Sequence, residues 1–261
     1  MAEVQEQATV PVADDLAVPP RFLERQPVVE PQPEYEFAKR ALAVVVSGAF
    51  LVLLLPLLVP IAIAQRLTGD GAIFFGQVRI GWKNRPFLIR KFATMRVGSE
   101  KQGSGIVTAR HDSRVLPLGA FLRKTKLNEV PQLLNVLRGE MSLVGPRPVP
   151  KVCFDEYPAD VQDTIYQVKP GLTGVGSIVF RDELELLEEA KEQGVSPWDV
   201  YKNEIYPYKG QLEQWYLEHR SFKLDMFIIF LTAWVLVRPK SRLLFRFYPS
   251  LPSHSRIGWS Q

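Results

Sequence analysis

Two uninterrupted apolar runs divide the chain, and the residues between them show the mixed polar and apolar pattern of a folded body. The first run, Ala41 to Ala64, holds roughly 24 residues and would be about 36 Å long as a helix, which is enough to span a bilayer. The second run, Met226 to Val237, holds about 12 residues, so it suits either a helix in the membrane interface or an ordinary buried helix. The pattern predicts a membrane segment over 37–66 and a catalytic-sized body over 67–240.

Two features leave open whether the first run crosses the membrane or turns back within it. Pro56 and Pro60 lie in its second half, where each removes a backbone donor and favours a bend. Basic residues flank both ends, Lys39 and Arg40 before the run and Arg66 after it, so the positive-inside rule selects no orientation. A re-entrant helix that bends at Pro56 and leaves on the same face satisfies both features, and a spanning helix is the alternative.

Shorter patterns within the body predict an α-rich α/β fold. Ile73–Phe75 and Phe87–Ile89 have the composition of short strands, separated by a turn around Gly81 and Asn84. The predicted helices are Val115 to Leu122, then Glu129 to Leu137 with Asn128 as its N-cap and Pro131 in its first turn, and Asp182 to Gln193 ended by Gly194. The segment 182–208 is a candidate lid or partner surface.

Charge is distributed unevenly along the chain. Residues 1–36 carry eight acidic and two basic side chains and six prolines, which predicts a disordered acidic arm and not a signal peptide. The net charge of the whole chain is +4, so the rest of it is strongly basic, and 241–261 forms a basic C-terminal tail. A basic body suits an anionic membrane or a phosphorylated substrate; without zinc-ligand spacing or a basic–aromatic repeat, no nucleic acid partner is expected.

Candidate chemistry is concentrated where basic residues meet loops rich in glycine and proline. The loops are 145–148 and 169–174, and neither has a Walker sequence. Arginine binds phosphate through two parallel hydrogen bonds, and proline holds a loop in place at small entropic cost, so the pattern predicts a diphosphate site. The single cysteine, Cys153, excludes an internal disulfide and fits a small buried residue in a reducing compartment.

An ordered series of motifs resembles the bacterial sugar-transferase family, the monotopic phosphoglycosyl transferases. The series covers about 37–237. Its motifs are Lys39-Arg40 before the proline-interrupted apolar run, Ile73 to Gly81, Lys91 to Met95, Asp112 to Arg114, Gly119 to Thr125, Leu127 to Pro148, Lys169 to Gly174 and Leu224-Asp225. A single one of these motifs would be weak, but the whole series in order is specific.

The resemblance implies an enzyme of the bacterial inner membrane, with its catalytic domain facing the cytoplasm and glycan-assembly proteins acting downstream. Such enzymes transfer a sugar 1-phosphate from a UDP-sugar to polyprenyl (undecaprenyl) phosphate and release UMP, using an Asp-Glu pair. In that family the Asp is the nucleophile and the Glu holds Mg²⁺. Carried onto this chain, the catalytic positions are Asn128, Glu129, Arg123 and Arg147, with Glu129 also the metal ligand. The positions implied for substrate binding are Arg79, Lys91, Asp112, Arg114, Pro146 and Asp225.

Two positions depart from the family pattern. The aspartate expected after Lys39-Arg40 is replaced by Ala43, and the nucleophile is replaced by Asn128, whose carboxamide has no anionic oxygen. Three hypotheses follow. Glu129 or another carboxylate such as Asp112 attacks; or polyprenyl phosphate attacks directly; or the chain is a catalytically impaired scaffold in a polysaccharide assembly complex. A glycosyltransferase that moves a bare sugar would release UDP and would need a Rossmann-like half, of which the sequence shows no trace.

Overall fold

The computed structural model describes residues 29–30, 32–68, 72–96, 98–99, 112–238 and 241–254, and this part of the chain is rich in helix. Most of the predicted acidic arm, residues 1–28 and 31, lies outside the described residues. The first helix begins at Pro33, so the helical part of the chain starts a few residues before the predicted boundary at Glu36.

The described elements follow one another along the chain with short connections. The helices are α1 (Pro33–Thr68), α2 (Pro117–Lys124), α3 (Leu133–Arg138), α4 (Lys151–Phe154), α5 (Ala159–Thr164), α6 (Val175–Val179), α7 (Glu183–Glu192), α8 (Pro197–Val200), α9 (Tyr206–His219), α10 (Phe222–Val237) and α11 (Leu243–Phe247). The strands are β1 (Phe74–Ile80), β2 (Pro86–Phe92), β3 (Ser142–Val144) and β4 (Gly171–Thr173). Single turns of 3₁₀ helix cover Trp82–Asn84 and Leu127–Gln132, and a π-helical turn covers Tyr201–Ile205.

The strands form two separate two-stranded sheets. Strands β1 and β2 are an antiparallel hairpin, with Phe74 opposite Phe92 and Ile80 opposite Pro86, as the sequence predicts. Strands β3 and β4 pair in parallel. The prediction of an α-rich fold is confirmed, but the sheets are smaller than an α/β label suggests, because helices and not further strands cover both pairs.

A side-chain amide joins the hairpin to the helical body. Asn135 of α3 is fully buried; its Oδ1 accepts the N–H of Arg90 and its Nδ2 donates to the carbonyl of Leu88. The amide thus continues the hydrogen bonding of β2, since an unpaired buried backbone group is costly. This contact holds the end of β2, and therefore Lys91, beside the turn Leu127–Gln132.

Helix α2 begins at Pro117 and not at the predicted Val115. Val115 is extended instead, because it pairs across an isolated bridge with Met95. Gly119 then packs directly on the backbone of Thr94, where a Cβ would come within 2.2 Å of the carbonyl oxygen. The predicted helix Glu129–Leu137 is only partly observed, because residues 129–132 belong to the 3₁₀ segment and α3 begins at Leu133. Helix α7 differs from the prediction by one residue at each end, and it ends before Gly194, which has a positive φ as expected of a helix-ending glycine.

Helix α1 is 36 residues long and is, by length and composition, apolar enough to cross a membrane. It continues through Pro56 and Pro60. Near its start, Ala43 is buried in the largest core, and near its end, Ile61 packs with Phe92 and Leu122. Between these contacts most apolar side chains are exposed, including Phe50, Val52, Leu53, Leu55, Leu57 and Val59.

Helix α10 has an apolar surface on two sides. Leu224, Ile228 and Leu231 are buried in the largest core, so the second apolar run is a core helix on one side. Its other side exposes large apolar side chains, namely Phe230, Trp234, Leu236 and Val237. The helix is therefore buried in the core on one side, and its other side is an apolar surface of the kind expected of an interface helix. The predicted tail packs onto the body as far as residue 254, where Leu244 and Leu251 are buried.

The first turns of α1 are fixed to α10 by a buried ion pair. Lys39 Nζ lies 3.0 Å from Asp225 Oδ2, with the two side chains 11% and 2% exposed. Tyr35 and Tyr216 donate hydrogen bonds to the same carboxylate, at 2.9 and 2.7 Å. Arg40 adds a second contact, since its guanidinium donates to the carbonyls of Val136 and Leu137 at the end of α3.

We expect Asp225→Ala to lower the free energy of unfolding by about 3–5 kcal/mol, because it leaves the Lys39 ammonium buried without a counter-charge. Thermal unfolding of the purified protein in detergent measures the loss. The double variant Lys39→Met/Asp225→Leu should recover much of it, and Asp199→Ala, which removes an exposed carboxylate of α8, is the control. If Asp225→Ala unfolded at the wild-type temperature, the ion pair would not be what holds α1 on the body.

Candidate functional site

Glu129 lies at the centre of the candidate site, on the 3₁₀ turn Leu127–Gln132. This turn begins after Lys126, which adopts the left-handed conformation with φ 60°. The prediction that Asn128 is a helix N-cap is wrong, because the turn starts one residue earlier and Asn128 lies inside it without capping it. The short left-handed entry and Pro131 favour the tighter 3₁₀ form over a regular α-helix.

Two cations from separate segments bind the Glu129 carboxylate at the same oxygen. Arg147 Nη2 donates to Oε1 at 2.7 Å, and Lys91 Nζ lies 3.7 Å from that atom. The Glu129 and Lys91 side chains are about one-fifth exposed and Arg147 is 42% exposed. The described residues place no hydrogen bond on Oε2, so that oxygen is free to bind a ligand.

The charges in this cluster shift one another's ionisation. Burial alone would raise the pKa of Glu129, but Arg147 and Lys91 outweigh it and lower the pKa to about 2. Burial lowers the pKa of Lys91 to about 8; Glu129 opposes this shift, whereas Arg147, Arg79 and Arg123 reinforce it. Four cations therefore surround one carboxylate, which leaves a local excess of positive charge suited to a diphosphate.

The two remaining cations are held by neutral partners, which leaves their charge uncompensated. Arg79 donates to Gln77 Oε1 at 2.6 Å through Nη2 and to the carbonyl of Pro148 at 3.3 Å. Burial, followed by repulsion from Arg147, lowers the pKa of Arg79 to about 10. Arg123 donates from Nε to Thr94 Oγ1 at 2.8 Å, and burial is the largest cause of its lowered pKa.

The loop 145–148 is locked against the loop that contains β4. Gly145 N–H donates to the carbonyl of Thr173 at 3.0 Å, and Gly171 N–H donates to the carbonyl of Pro146 at 2.9 Å. A Cβ at Gly145 would come within 2.5 Å of the backbone of Lys169, so only glycine permits this approach. The two loops that the sequence singled out therefore form one rigid unit, and Pro146 supports Arg147 through its backbone.

Asn128 contributes an unusual atom to the site. Its Oδ1 is buried and has no hydrogen-bond partner among the described residues. An unpaired buried acceptor costs about 1–3 kcal/mol, which is tolerated mainly at sites where a ligand supplies the missing partner.

Asp112 and Arg114 form a pair of their own and do not join Glu129. Arg114 donates to both carboxylate oxygens of Asp112, and the two side chains are only about one-twentieth exposed. These hydrogen bonds from Arg114 are the largest cause of the lowered pKa of Asp112. The charges of Asp112 and Glu129 both raise the pKa of Arg123, so the Asp112–Arg114 pair lies at the edge of the cluster.

Asp225 is the predicted site residue whose contacts lie elsewhere. Its carboxylate binds Lys39, Tyr35 and Tyr216 at the start of α1. The sequence reasoning also missed residues that hold the cluster in place: Gln77, Thr94, Tyr166 and Glu213. Gln77 accepts two hydrogen bonds from Arg79, which is only two residues away on β1. Thr94 and Tyr166 connect segments 29 and 19 residues apart in the chain, and neither side chain carries a charge that would mark it.

The cluster fits a magnesium ion that arrives with a diphosphate. The described residues contain no group of three or more His, Cys, Asp or Glu side chains that could hold a metal by themselves. Mg²⁺ commonly takes one or two protein oxygens and fills its remaining positions with phosphate and water. Glu129 Oε2 and the unpartnered Oδ1 of Asn128 are oxygen donors of the required kind on adjacent residues.

Comparison with known proteins identifies the family of this chain. Residues 34–239 match the family model described as bacterial sugar transferase. A UDP-glucose:undecaprenyl-phosphate glucose-1-phosphate transferase of Klebsiella pneumoniae is 35% identical over 198 residues, which cover 75% of this chain and 39% of that protein. A protein of the same name from Caulobacter vibrioides is 40% identical over 151 residues, which cover 57% of this chain and 56% of that protein.

A UDP-galactose-lipid carrier transferase of Erwinia amylovora is 32% identical over 216 residues, which cover 77% of this chain and 41% of that protein. The chain thus spans about two-fifths of the length of the first of these relatives. Since the family model matches most of the chain and includes every residue of the Glu129 cluster, this protein belongs to the bacterial sugar transferase family.

Proposed function

We propose that this protein transfers a sugar 1-phosphate from a UDP-sugar to polyprenyl phosphate and releases UMP, as the first step of exopolysaccharide assembly. The observation that carries the proposal is the Glu129 carboxylate held by Arg147 and Lys91, within a cluster that has excess positive charge. Such a cluster matches the charge of a diphosphate, and the relatives from Klebsiella pneumoniae and Caulobacter vibrioides are named for UDP-glucose and undecaprenyl phosphate.

The exposed apolar surfaces support a membrane site for this reaction. Both ends of α1 contact the same body, since Lys39 binds Asp225 while Gln65 Nε2 donates to the carbonyl of Ala93 at 2.6 Å. A helix that crossed the bilayer would place its ends on opposite sides, about 30 Å apart. We therefore favour a helix that enters and leaves on the cytoplasmic face of the inner membrane, with α10 at the interface.

Each residue of the cluster has a distinct task in this reaction. Arg147, Lys91 and Arg79 bind the diphosphate oxygens and stabilise charge that develops on the departing UMP. Glu129 orients Arg147 and, with Asn128, would hold Mg²⁺, which neutralises diphosphate charge when bound. The rigid union of loops 145–148 and 169–174 keeps the guanidinium of Arg147 aimed at the site.

Direct attack by the acceptor accounts best for Asn128. An oxygen of polyprenyl phosphate bonds to the phosphorus nearer the sugar, while the bond from that phosphorus to the bridging oxygen breaks and UMP leaves with that oxygen. Asp112 is a poor substitute nucleophile, since Arg114 occupies both its oxygens. Glu129 Oε2 is the competing nucleophile, because it is ionised and free of contacts within the described residues.

A catalytically silent scaffold is the second candidate function, and Asn128 is the observation that favours it. Its carboxamide occupies the position of the nucleophile implied by the family pattern. Glycan production in cells that carry Glu129→Ala separates the two functions, since a scaffold tolerates the change and an enzyme does not.

Purified protein with a UDP-sugar, polyprenyl phosphate and Mg²⁺ should release UMP only when the acceptor is present. Glu129→Gln should lower kcat by at least about 10²-fold, because Arg147 and the metal lose an anionic partner. Glu185→Gln, which changes an exposed carboxylate of α7, is the matched control and should leave the rate unchanged. Release of UDP in place of UMP, or equal rates for both Glu variants, would contradict the proposed reaction.

The affinity for the UDP-sugar should fall as the pH rises through about 8. Lys91 has its pKa lowered to about 8, so it carries its charge below that pH and becomes neutral above it. The pH dependence of KM measures this effect. Lys91→Arg should remove the loss, because a guanidinium stays protonated. Glu213 titrates in the same range, so Glu213→Gln is examined in parallel and should retain the loss in affinity.

Asn128→Asp should create a covalent route that the native chain lacks. In the variant, radiolabelled UMP should exchange into UDP-sugar without acceptor, and intact-protein mass spectrometry should show a phosphosugar adduct. The native chain should show neither, while still turning over with acceptor. An adduct on the native chain, mapped to Glu129, would refute direct displacement and identify the nucleophile.

A further inference from the structure

A buried carboxyl lies behind the loop that carries Arg147, and the proposed reaction does not use it. Glu213 belongs to α9 and is 3% exposed. The backbone N–H groups of Arg147 and Gly176 lie near enough to this carboxyl to oppose the rise in its pKa, so it lies between two loops that are distant in sequence. Its Oε2 is buried and accepts no hydrogen bond from the described residues. A costly buried group of this kind needs a reason to be kept.

The surroundings of Glu213 are shaped to receive the carboxyl. A Cβ at Gly176 would lie 2.5 Å from Glu213 Oε1, so the carboxyl packs against bare backbone. A Cβ at Gly174 would come within 2.3 Å of the carbonyl oxygen of Gly145. Both glycines therefore permit the close approach of the loop 145–148, the segment 174–176 and α9.

Arg147 is consequently held at each of its functional groups. Its N–H lies beside the Glu213 carboxyl, its carbonyl accepts the hydroxyl hydrogen of Tyr166 at 2.7 Å, and its guanidinium binds Glu129. Tyr166 is itself fully buried, and its hydroxyl also accepts the N–H of Val149 at 3.2 Å. The backbone on both sides of Arg147 thus has fixed partners, although its side chain is partly exposed.

We propose that Glu213 is a positioning residue: its carboxyl holds the backbone of Arg147 from behind and so aims the guanidinium at Glu129 and at the diphosphate of the substrate. The part of this inference that concerns the diphosphate rests on the proposed function, whereas the part that concerns the loop does not. Glu213 itself touches neither substrate nor reacting atoms.

The protonation state of the Glu213 carboxyl determines which substitution preserves its contacts. Burial raises the pKa of Glu213 to about 8, although the amides of Arg147 and Gly176 and the charge of Lys209 oppose the shift. The other titratable groups that interact with it are the buried hydroxyls of Tyr157 and Tyr166. Glu213 is therefore a neutral acid at pH 7, and Gln reproduces its shape, neutrality and carbonyl acceptor.

The test compares Glu213→Ala with Glu213→Gln in full-length protein, at pH 7 and at a temperature where each is folded. Amide hydrogen exchange in peptides covering 145–148 and 174–176 should accelerate about tenfold or more in the Ala variant, since the buried carboxyl beside these amides is lost. KM for the UDP-sugar should rise about tenfold, more than kcat falls. The Gln variant should stay within about twofold of wild type in both.

Leu212→Ala is the matched control, because Leu212 is a fully buried neighbour on α9 that contacts the apolar core. It should lower the unfolding temperature without faster exchange in the two loops and without a change in KM. If it does not fold, Ile205→Val creates a smaller defect in the same core.

Three results would overturn the proposal: loop exchange in Glu213→Ala that matches Leu212→Ala, no rescue by Gln, or an unchanged KM beside faster exchange. If the wild-type protein shows no transfer at all, the proposed function fails, and the exchange data alone decide whether Glu213 holds the loop.

Discussion

The hydrogen bond between Arg147 and Glu129 is the contact on which the site depends, because it connects two halves of the body. Glu129 comes from the turn beside the β1–β2 hairpin, and Arg147 comes from the loop that β4 and α9 support. The loop that carries Arg147 is held by backbone hydrogen bonds to the loop of β4 and by Tyr166. Four cations near one carboxylate repel one another, and two close unit charges can interact by several kcal/mol at an effective dielectric constant of about 20. Burial is the largest cause of the lowered pKa values of Lys91 and Arg79, and repulsion between the cations adds to it. In the proposed reaction, a bound diphosphate would relieve that repulsion.

The attachment of α1 places this charged site beside an apolar surface. The helix is tied down by polar contacts at both ends: the Lys39–Asp225 ion pair and Arg40 at the start, and Gln65 at the end. The exposed apolar residues lie between these contacts, so the body cannot leave a membrane without exposing them to water. In the proposed reaction, the lipid-linked phosphate would reach the charged site from this apolar surface and the nucleotide sugar would reach it from water.

The sequence predicted the elements better than it predicted their contacts. The hairpin, the helix ended by Gly194 and the paired loops were predictable, because strand composition, helix-ending glycine and Gly-Pro turns act locally. The N-cap role of Asn128 was not observed, since the left-handed Lys126, two residues earlier, occupies the N-cap position. Asn135, Tyr166 and Glu213 could not be recognised from sequence, because each contacts a segment that lies 19 or more residues away in the chain. Asp225 was assigned to the site by motif, yet its contacts are with α1. A position in a family motif therefore does not by itself place a residue in the site.

Asn128 changes the charge of the site by one unit relative to the aspartate of the family pattern, and this has a physical consequence for the order of binding. In a covalent route UMP leaves before the acceptor arrives, so the site faces one polyanion at a time. In direct displacement the diphosphate and the lipid phosphate are bound together, and their mutual repulsion must be offset by protein cations or a metal. A neutral amide at position 128 leaves the net charge of the site one unit more positive than a second carboxylate would. In the proposed reaction, this extra positive charge would favour simultaneous binding of both substrates, as direct displacement requires.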